Sequence, residues 1–385
     1  MEVEPHNSNL VSQHAKDQWG PVAVGLVALA LASIFIVYEL SRFDWEPTQF
    51  AAFGEEATEI RSYAEDRLDT VKLRSQLGHD GRFFFVQAND PWVLDPNENA
   101  QVLDRPLYRS QRMLYPALAG GLGLFGPEAI IWAMLLLNLA AMGLGSWAVA
   151  WIAVSLGGPV WAGLAFVLNI GFISELDVGG AGILAGAAAF GALALVLNGR
   201  TWAGVVLLTM AALSREVMLV VAAGAAFYLW RRDEKRDAVA AALLPLAAVV
   251  VWAVYLRLRL SVDAGLSEVQ EIGIPFLGII QAIEWWIKSP VDLVMGIVIL
   301  LILGLFTRRA LLQDNIVGWA LIGFVPLALL LTEQVWHSYF DITRGVAPLM
   351  TAFVLLVAVD KKNSPPRRTI RRSVEQARDR DGGGD

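Results

Sequence analysis

The sequence predicts an all-α polytopic membrane protein with about ten transmembrane helices. Apolar residues make up 56% of the 385-residue chain and charged residues only 17%, whereas soluble domains carry about 25% charge. The charges are clustered, and the stretches between them are long enough to cross roughly 30 Å of hydrocarbon, which takes about 20 helical residues. Because these stretches are continuously apolar rather than alternating, they favour helices over the strands of a β-barrel.

Ten apolar stretches divide the chain between its charged segments. The first, 21–40, is long for the apolar core of a signal peptide and lacks a small-residue cleavage site, so we expect a retained helix. The two stretches that flank Arg215 are short and could form one broken pair or a helical hairpin. The predicted spans are about 21–40, 128–152, 158–174, 179–198, 201–214, 216–231, 239–260, 290–306, 315–332 and 344–360.

Lysine and arginine in short loops set the predicted orientation, since cytoplasmic loops carry an excess of both. The basic segment 231–236, the Arg308–Arg309 pair and the tail from Lys361 should all be cytoplasmic. With ten spans, these three assignments agree and place both termini on the cytoplasmic side of the cytoplasmic (inner) membrane. The predicted organisation is a cytoplasmic N-terminal tail (1–20), a transmembrane domain (21–360) and a basic, disordered cytoplasmic tail (361–385).

The largest hydrophilic segment, 41–127, is predicted to be an outer loop that carries juxtamembrane helices. It should contain an amphipathic helix at about 50–77. The apolar stretch 113–125 is too short to span, so we expect a helix that lies along the interface or re-enters. A second outer loop, 261–289, carries two tryptophans and a lysine that suit an interfacial helix.

Several function classes lack their sequence signatures. The chain has no cysteine, which excludes disulfides, thiolate catalysis and cysteine-bound metals. The four histidines show no close metal-ligand spacing, and no glycine-rich phosphate loop opens a soluble nucleotide-binding unit. We therefore predict no metal site and no nucleic-acid partner from these motifs.

The segment GHDGRFFFVQANDPW (78–92) is the first candidate site. Asp80 follows His79 and precedes Gly81, a combination that permits a tight turn with an exposed carboxylate. The apolar residues that follow would hold the segment against the membrane face, where a carboxylate can gain proton affinity and act as a base. An ordinary Asx turn in an exposed loop is the alternative.

Three arginines follow in LDRPLYRSQRMLYP (103–116). Arg109 and Arg112 have the spacing of one helix face. Together with Arg105 they suit a phosphate group, which arginine binds bidentately. Contact with lipid head groups is an equally good explanation, and Asp104 could simply pair with one of the arginines.

Further charged residues lie beside the apolar stretches. Arg215 and Glu216 interrupt an apolar run, where charges are functional candidates unless they only stabilise a helix turn. His337 and Asp341 would share a face if their loop is helical, and Arg344 follows them. A single histidine–carboxylate pair is more often structural than metal-binding, so we predict no metal there.

Nearly all of these polar residues fall on the predicted outer side of the membrane. A transporter should instead place polar groups near the midplane, often at broken helices in repeated halves. The sequence shows no convincing internal repeat. This distribution favours a site at the outer membrane face that is open to both lipid and water.

With these motifs in hand, the chain resembles the GT-C superfamily of integral-membrane glycosyltransferases, particularly bacterial members that take sugars from polyprenyl-phosphate carriers. Asp80 stands where that family places its first-loop acidic residue. The family's juxtamembrane helix and second span are similar to LYPALAGGLGLFGPEAIIWAMLLLN. The layout is similar over most of 20–360 and the motifs over about 78–140. Two features depart from the pattern, because Gly81 replaces a second acidic residue and Pro116 a pair of prolines.

The resemblance implies a glycosyltransferase that moves a sugar from a polyprenyl-phosphate donor to a cell-envelope acceptor, such as a surface glycopolymer. Asp80 would deprotonate the acceptor hydroxyl. Arg109, Arg112 or Arg215 would stabilise the leaving phosphate. The implied partners are the lipid-linked sugar and membrane lipid. Members of the family differ in their need for a divalent metal, so a divalent cation is a possible cofactor. Two alternatives remain: a transporter or flippase of lipid-linked glycans, and a non-catalytic protein of glycopolymer assembly.

Overall fold

Helices make up nearly all of the regular structure. The computed structural model describes residues 6–260 and 272–359, with side chains from residue 19 onward. The helices of the first half are α1 (His6–Arg42), α2 (Thr58–Glu65), α3 (Gly81–Asn89), α4 (Pro96–Val102), α5 (Pro106–Arg109), α6 (Leu114–Ala119), α7 (Pro127–Ser155), α8 (Leu164–Val167), α9 (Ile170–Asp177) and α10 (Gly182–Leu197). Those of the second half are α11 (Thr201–Ser214), α12 (Leu219–Arg231), α13 (Lys235–Arg259), α14 (Leu277–Trp286), α15 (Pro290–Gln313), α16 (Ile316–Leu321), α17 (Phe324–Leu330), α18 (Glu333–Trp336) and α19 (Tyr339–Ala358).

Five helices in the described ranges are long and apolar enough to cross a membrane: α1 from Trp19 onward, α7, α13, α15 and α19. A sixth candidate is the pair Val160–Val167 and Ile170–Asp177, which bends by 43°. These six coincide with six of the predicted spans. The prediction of an all-α multi-pass membrane protein is therefore confirmed, whereas the count of ten spans stays a prediction.

The remaining predicted spans fall on shorter apolar helices. Helix α10 has 16 residues and α11 has 14, so at about 1.5 Å per residue each is shorter than the 30 Å hydrocarbon layer. Arg215 has an extended backbone, and a 3₁₀ turn, Glu216–Met218, joins α11 to α12. The apolar run around Arg215 is thus interrupted, as its sequence predicts.

The predicted amphipathic helix at 50–77 is wrong. This segment instead contains two short parallel strands, β1 (Phe53–Gly54) and β2 (Leu73–Arg74), with α2 between them. The left-handed backbone at Ala52 and Gln76 breaks any continuous helix. The apolar stretch 113–125 forms α6 and a 3₁₀ turn at Gly121–Gly123.

Two apolar clusters hold these elements together. The larger one fills the space between the long helices and includes Phe166, Phe172 and Phe190. The smaller one joins segment 41–127 to α6 and α7, and Phe53 meets Phe85 there edge to face at 5.4 Å. Burial of apolar surface in this second cluster fixes the start of α3 beside the long helices.

Two predictions for the later segments have different outcomes. Trp285 is 49% exposed, but Trp286 is buried, and its indole N–H donates to the carbonyl of Trp336 at 2.8 Å. Trp286 therefore packs inside the protein, and the interfacial position of this helix stays a prediction. The predicted disordered tail, 361–385, lies outside the described residues, as does 261–271 of the predicted second outer loop.

Candidate functional site

Asp80 is fixed at the start of α3 by close backbone packing. The N–H of Gly81 donates to the carbonyl of Val178 at 3.0 Å. A Cβ atom on Gly81 would lie 2.5 Å from that oxygen and 2.8 Å from the carbonyl oxygen of Ala51. Glycine is therefore required after Asp80 because the backbone passes so close to two neighbouring segments.

Two arginines neutralise the Asp80 carboxylate. Nη2 of Arg344 is 2.5 Å from Oδ2 of Asp80, and Nη1 of Arg109 is 3.5 Å from Oδ1. Burial alone would raise the pKa of Asp80, but the charges of Arg344, Arg112 and Arg109 outweigh it and hold the pKa well below its ordinary value. The carboxylate makes no capping hydrogen bond to its own helix, so a simple Asx turn does not describe it.

Glu175 lies on the other side of Arg344. Its Oε1 is 3.2 Å from Nε of Arg344 and 3.1 Å from Nη1 of Arg215. The N–H of Gly182 donates to Oε2 at 3.1 Å. The Glu175 side chain is only 3% exposed and that of Arg344 7%. Glu175 was not among the sequence-based candidates, because nothing in its local sequence shows that two distant arginines reach it.

The three arginines of segment 103–116 have different partners. Nε of Arg109 is 3.0 Å from Oδ1 of Asp104, whereas Arg105 approaches Asp104 only to 3.8 Å. Arg112 pairs with Glu216 at 3.3 Å. The expected pairing of Asp104 with an arginine is confirmed. The prediction that Arg109 and Arg112 share a helix face is wrong, because α5 ends at Arg109.

We call Asp80, Arg109, Glu175, Arg215 and Arg344, with the neighbouring Arg112–Glu216 pair, the ion-pair cluster. The two parts meet at a small internal space of about 10 Å³, whose lining includes Asp80, Arg109 and Arg112. Several members stand at helix ends: Asp80 precedes α3, Arg215 follows α11, and Arg344 is in the second turn of α19. The cluster therefore lies where these helices begin or end.

The two histidine candidates, His79 and His337, have different surroundings. His79 packs its ring against Phe340 at 5.0 Å. Burial and the charge of Arg344 lower the pKa of His79. His337 precedes the extended Ser338, which separates it from the helix that contains Asp341. The prediction that His337 and Asp341 share a helix face is therefore wrong. Asp341 does approach Arg344, at 3.6 Å.

The carboxylates of the cluster suit arginine rather than a metal ion. Each of Asp80, Glu175 and Glu216 faces at least one guanidinium within 3.5 Å, so its negative charge is already compensated. Within the described part of the chain, no group of three histidine, aspartate or glutamate side chains is arranged to hold a metal. The donor set therefore does not fit a divalent cation.

Two buried polar side chains beside the cluster were missed from the sequence. Arg82 is 7% exposed, and its Nε and Nη1 have no hydrogen-bond partner among the described residues. Its nearest aromatic neighbour is Phe83, at 4.5 Å. Gln87 is 4% exposed, lines the small internal space, and has both amide atoms without a described partner. Buried polar groups are usually satisfied, so Gln87 marks the internal space as a candidate ligand position, whereas Arg82 lies outside its lining.

Comparison of the chain with protein-family models, with curated proteins and with solved structures finds no match.

Proposed function

We propose that this protein is a glycosyltransferase of the GT-C type, which moves a sugar from a polyprenyl-phosphate donor to a cell-envelope acceptor. In this proposal it has ten spans, and the cluster faces the outer side of the cytoplasmic membrane. Both termini lie in the cytoplasm. The observation that carries the proposal is the convergence of Asp80 and several arginines at helix ends, beside a buried arginine without a carboxylate partner.

The charge balance supports an anionic ligand. Arg109, Arg112, Arg215 and Arg344 each form an ion pair with a carboxylate. Arg82 has Nε and Nη1 without a hydrogen-bond partner among the described residues, and the charges of Asp104 and Asp80 act on it only at longer range. A buried cation without a close counter-ion is costly. A phosphate next to Arg82 would supply the missing negative charge, and arginine is well suited to phosphate.

The position of the cluster supports an interfacial enzyme over a transporter. Arg215 follows the last residue of α11, and Arg344 is the sixth residue of the 20-residue α19. A transporter would be expected to bind its substrate near the middle of its helices. Charges at helix ends can instead meet a lipid phosphate at the level of the head groups while the polyprenyl chain stays in the bilayer.

The proposed chemistry gives Asp80 the role of base. At rest, Arg344 and Arg109 make Asp80 a weak base, because they stabilise its ionised form. A donor phosphate would compete for Arg109 and thereby raise the proton affinity of Asp80. The acceptor hydroxyl then gives its proton to Asp80, its oxygen bonds to the anomeric carbon, and the bond from that carbon to the phosphate oxygen breaks. The electron pair stays on the polyprenyl phosphate, which the arginines stabilise.

Complementation of a strain that lacks the protein tests this function. Wild type, Asp80→Ala and Asp80→Asn are compared for surface glycans at equal membrane abundance, with Asp66→Asn, an exposed aspartate in the same outer loop, as the matched control. We expect both Asp80 variants to lose a glycan that Asp66→Asn retains. Retention of the glycan by both Asp80 variants would contradict the proposal and favour a non-catalytic assembly role.

A further inference from the structure

A polar cleft opens next to Asp80. Its volume is about 460 Å³, and its walls are Glu56 and the segment Arg74–His79. This volume lies within the usual range for small-molecule sites, about 300–1,000 Å³. The cleft is not one of the sites discussed above, although His79 connects it to the ion-pair cluster.

The walls of the cleft are held in place by main-chain contacts. The N–H of Glu56 donates to the carbonyl of Gln76 at 2.9 Å, and that of His79 donates to Ala52 at 3.0 Å. A Cβ atom on Gly78 would overlap the carbonyl oxygen of Ala52, and Gly78 has a φ of +72°. The segment is therefore preformed rather than a loose loop, so little ordering is needed when a ligand binds.

The basic groups in the cleft do not call for an anionic ligand, and the carboxylate of Glu56 on its wall can accept hydrogen bonds from hydroxyl groups. Both Nη atoms of Arg74 contact the Asp177 carboxylate, at 2.8 and 3.0 Å. His79 is uncharged at neutral pH, because burial and the charge of Arg344 lower its pKa. The remaining walls offer hydroxyl, amide and carboxylate groups and one aliphatic side chain, Leu77. This mixture suits a neutral ligand rich in hydroxyl groups, whose C–H face can lie on Leu77.

The geometry also relates the cleft to the reaction. His79 lines the cleft, and Asp80 is the next residue. The ring of His79 is held against Phe340, at the start of the helix that carries Arg344. A hydroxyl hydrogen-bonded to the His79 ring would thus approach the region that contains Asp80.

We propose that the Arg74–His79 cleft binds the acceptor through a neutral sugar unit, and that His79 positions the reacting hydroxyl for Asp80. This inference rests on the proposed function. His79 accepts a hydrogen bond but takes no proton. The proton passes from the hydroxyl to Asp80, as the new C–O bond forms and the phosphate leaves.

Saturation-transfer NMR on the full-length protein in lipid nanodiscs tests the cleft. The probes are methyl α-D-glucopyranoside, methyl α-D-mannopyranoside and methyl α-D-arabinofuranoside. Ser75→Trp fills the cleft from an exposed position, and Ser62→Trp adds the same ring to an exposed position on α2. We expect at least one glycoside to bind wild type and Ser62→Trp but not Ser75→Trp. Absence of binding to wild type, or equal binding to both tryptophan variants, overturns the proposal.

Two His79 variants separate positioning from packing. His79→Gln keeps a hydrogen-bond acceptor, whereas His79→Phe keeps the ring against Phe340 and loses the acceptor. We expect His79→Gln to bind the glycoside nearly as well as wild type and His79→Phe to bind about fivefold more weakly, as expected for one lost hydrogen bond. Unchanged binding by His79→Phe means that the ring only packs, and it overturns the positioning role.

The cleft and the proposed function can fail independently. Asp80→Asn should lose the surface glycan but still bind the methyl glycoside, because Asp80 does not line the cleft. If Asp80→Asn keeps the glycan while glycosides still bind at the cleft, the transferase proposal fails. If Asp80→Asn loses the glycan but Ser75→Trp keeps both glycan and glycoside binding, the cleft proposal fails.

Discussion

Arg344 donates a 2.5 Å hydrogen bond to Asp80, which lies 264 residues earlier in the chain. The same guanidinium contacts Glu175 through Nε at 3.2 Å. One arginine in α19 therefore joins the segment between α1 and α7 to the end of α9. This bridge places the candidate base within the ion-pair cluster and is the basis of the predictions that follow.

Loss of Glu175 should destabilise the fold more than loss of a surface carboxylate. Glu175→Gln removes the negative charge between Arg344 and Arg215 and leaves buried positive charge uncompensated, which costs about 3–5 kcal/mol. Glu65→Gln is the control, since it breaks the exposed Arg61–Glu65 pair, where about 0–1 kcal/mol is expected. Thermal unfolding of the purified protein in detergent measures both. Equal, small shifts of the unfolding temperature for the two variants would show that Glu175 stabilises the fold no more than a surface carboxylate does.

Gly180→Ala should displace Glu175 without changing any charge. A Cβ atom on Gly180 would overlap the Glu175 carboxylate, so the carboxylate must leave its place between the two arginines. We expect a lower unfolding temperature and loss of the surface glycan. Gly304→Ala is the matched control, because a Cβ atom at that helical glycine has nothing within 4 Å. A fully active Gly180→Ala variant would show that the cluster tolerates a displaced Glu175.

Gln87→Leu should separate stability from activity. Both amide atoms of Gln87 are buried without a described hydrogen-bond partner, and such groups cost about 1–3 kcal/mol. An apolar side chain of similar size removes this cost, so we expect a higher unfolding temperature. Gln87 lines the internal space beside Asp80 and Arg112. We therefore expect the rate of sugar transfer to fall at the same time, because stabilising a functional site often lowers its activity. A variant that is more stable and equally active would mean that Gln87 has no part in the site.

His79 should make the stability of the protein depend on pH. Its pKa is lowered from the ordinary value of 6.5 by burial and by Arg344. The unfolded chain therefore binds a proton more readily than the folded one, and the folded state loses stability as the pH falls below 6.5. His79→Gln removes this loss. We expect the unfolding temperature of wild type, relative to His79→Gln, to fall between pH 7.5 and pH 5. A constant difference across that range would contradict the lowered pKa.

Local spacing predicted only part of the site. Asp104 and Arg109 are five residues apart, so their pairing was foreseeable from the sequence. Asp80 was identified from its turn and its position before an apolar run. Glu175 was not, because its partners Arg215 and Arg344 are 40 and 169 residues away. Such pairs depend on how the helices pack, which hydropathy does not determine.

Arg82 and the segment 50–77 show a second limit. Arg82 is next to the apolar run Phe83–Val86, and its own sequence context does not show that it is buried without a partner. The 50–77 segment has helix-forming residues. Backbone pairing of Gly54 with Arg74 and the left-handed Gln76 override that preference. Long apolar helices such as α7 and α13 were predicted well, because continuous apolarity over 20 residues is a strong and local indication.

Donor turnover in proteoliposomes tests the central claim most directly. Purified protein is supplied with polyprenyl-phosphate-linked radioactive hexoses and pentoses and with cell envelope from a strain that lacks the protein. Wild type and Asp66→Asn should transfer label to the envelope, and Asp80→Asn should transfer at least about 100-fold less, the lower range for loss of a general base. Equal transfer by Asp80→Asn, or no transfer from any of these donors by wild type, would contradict the account.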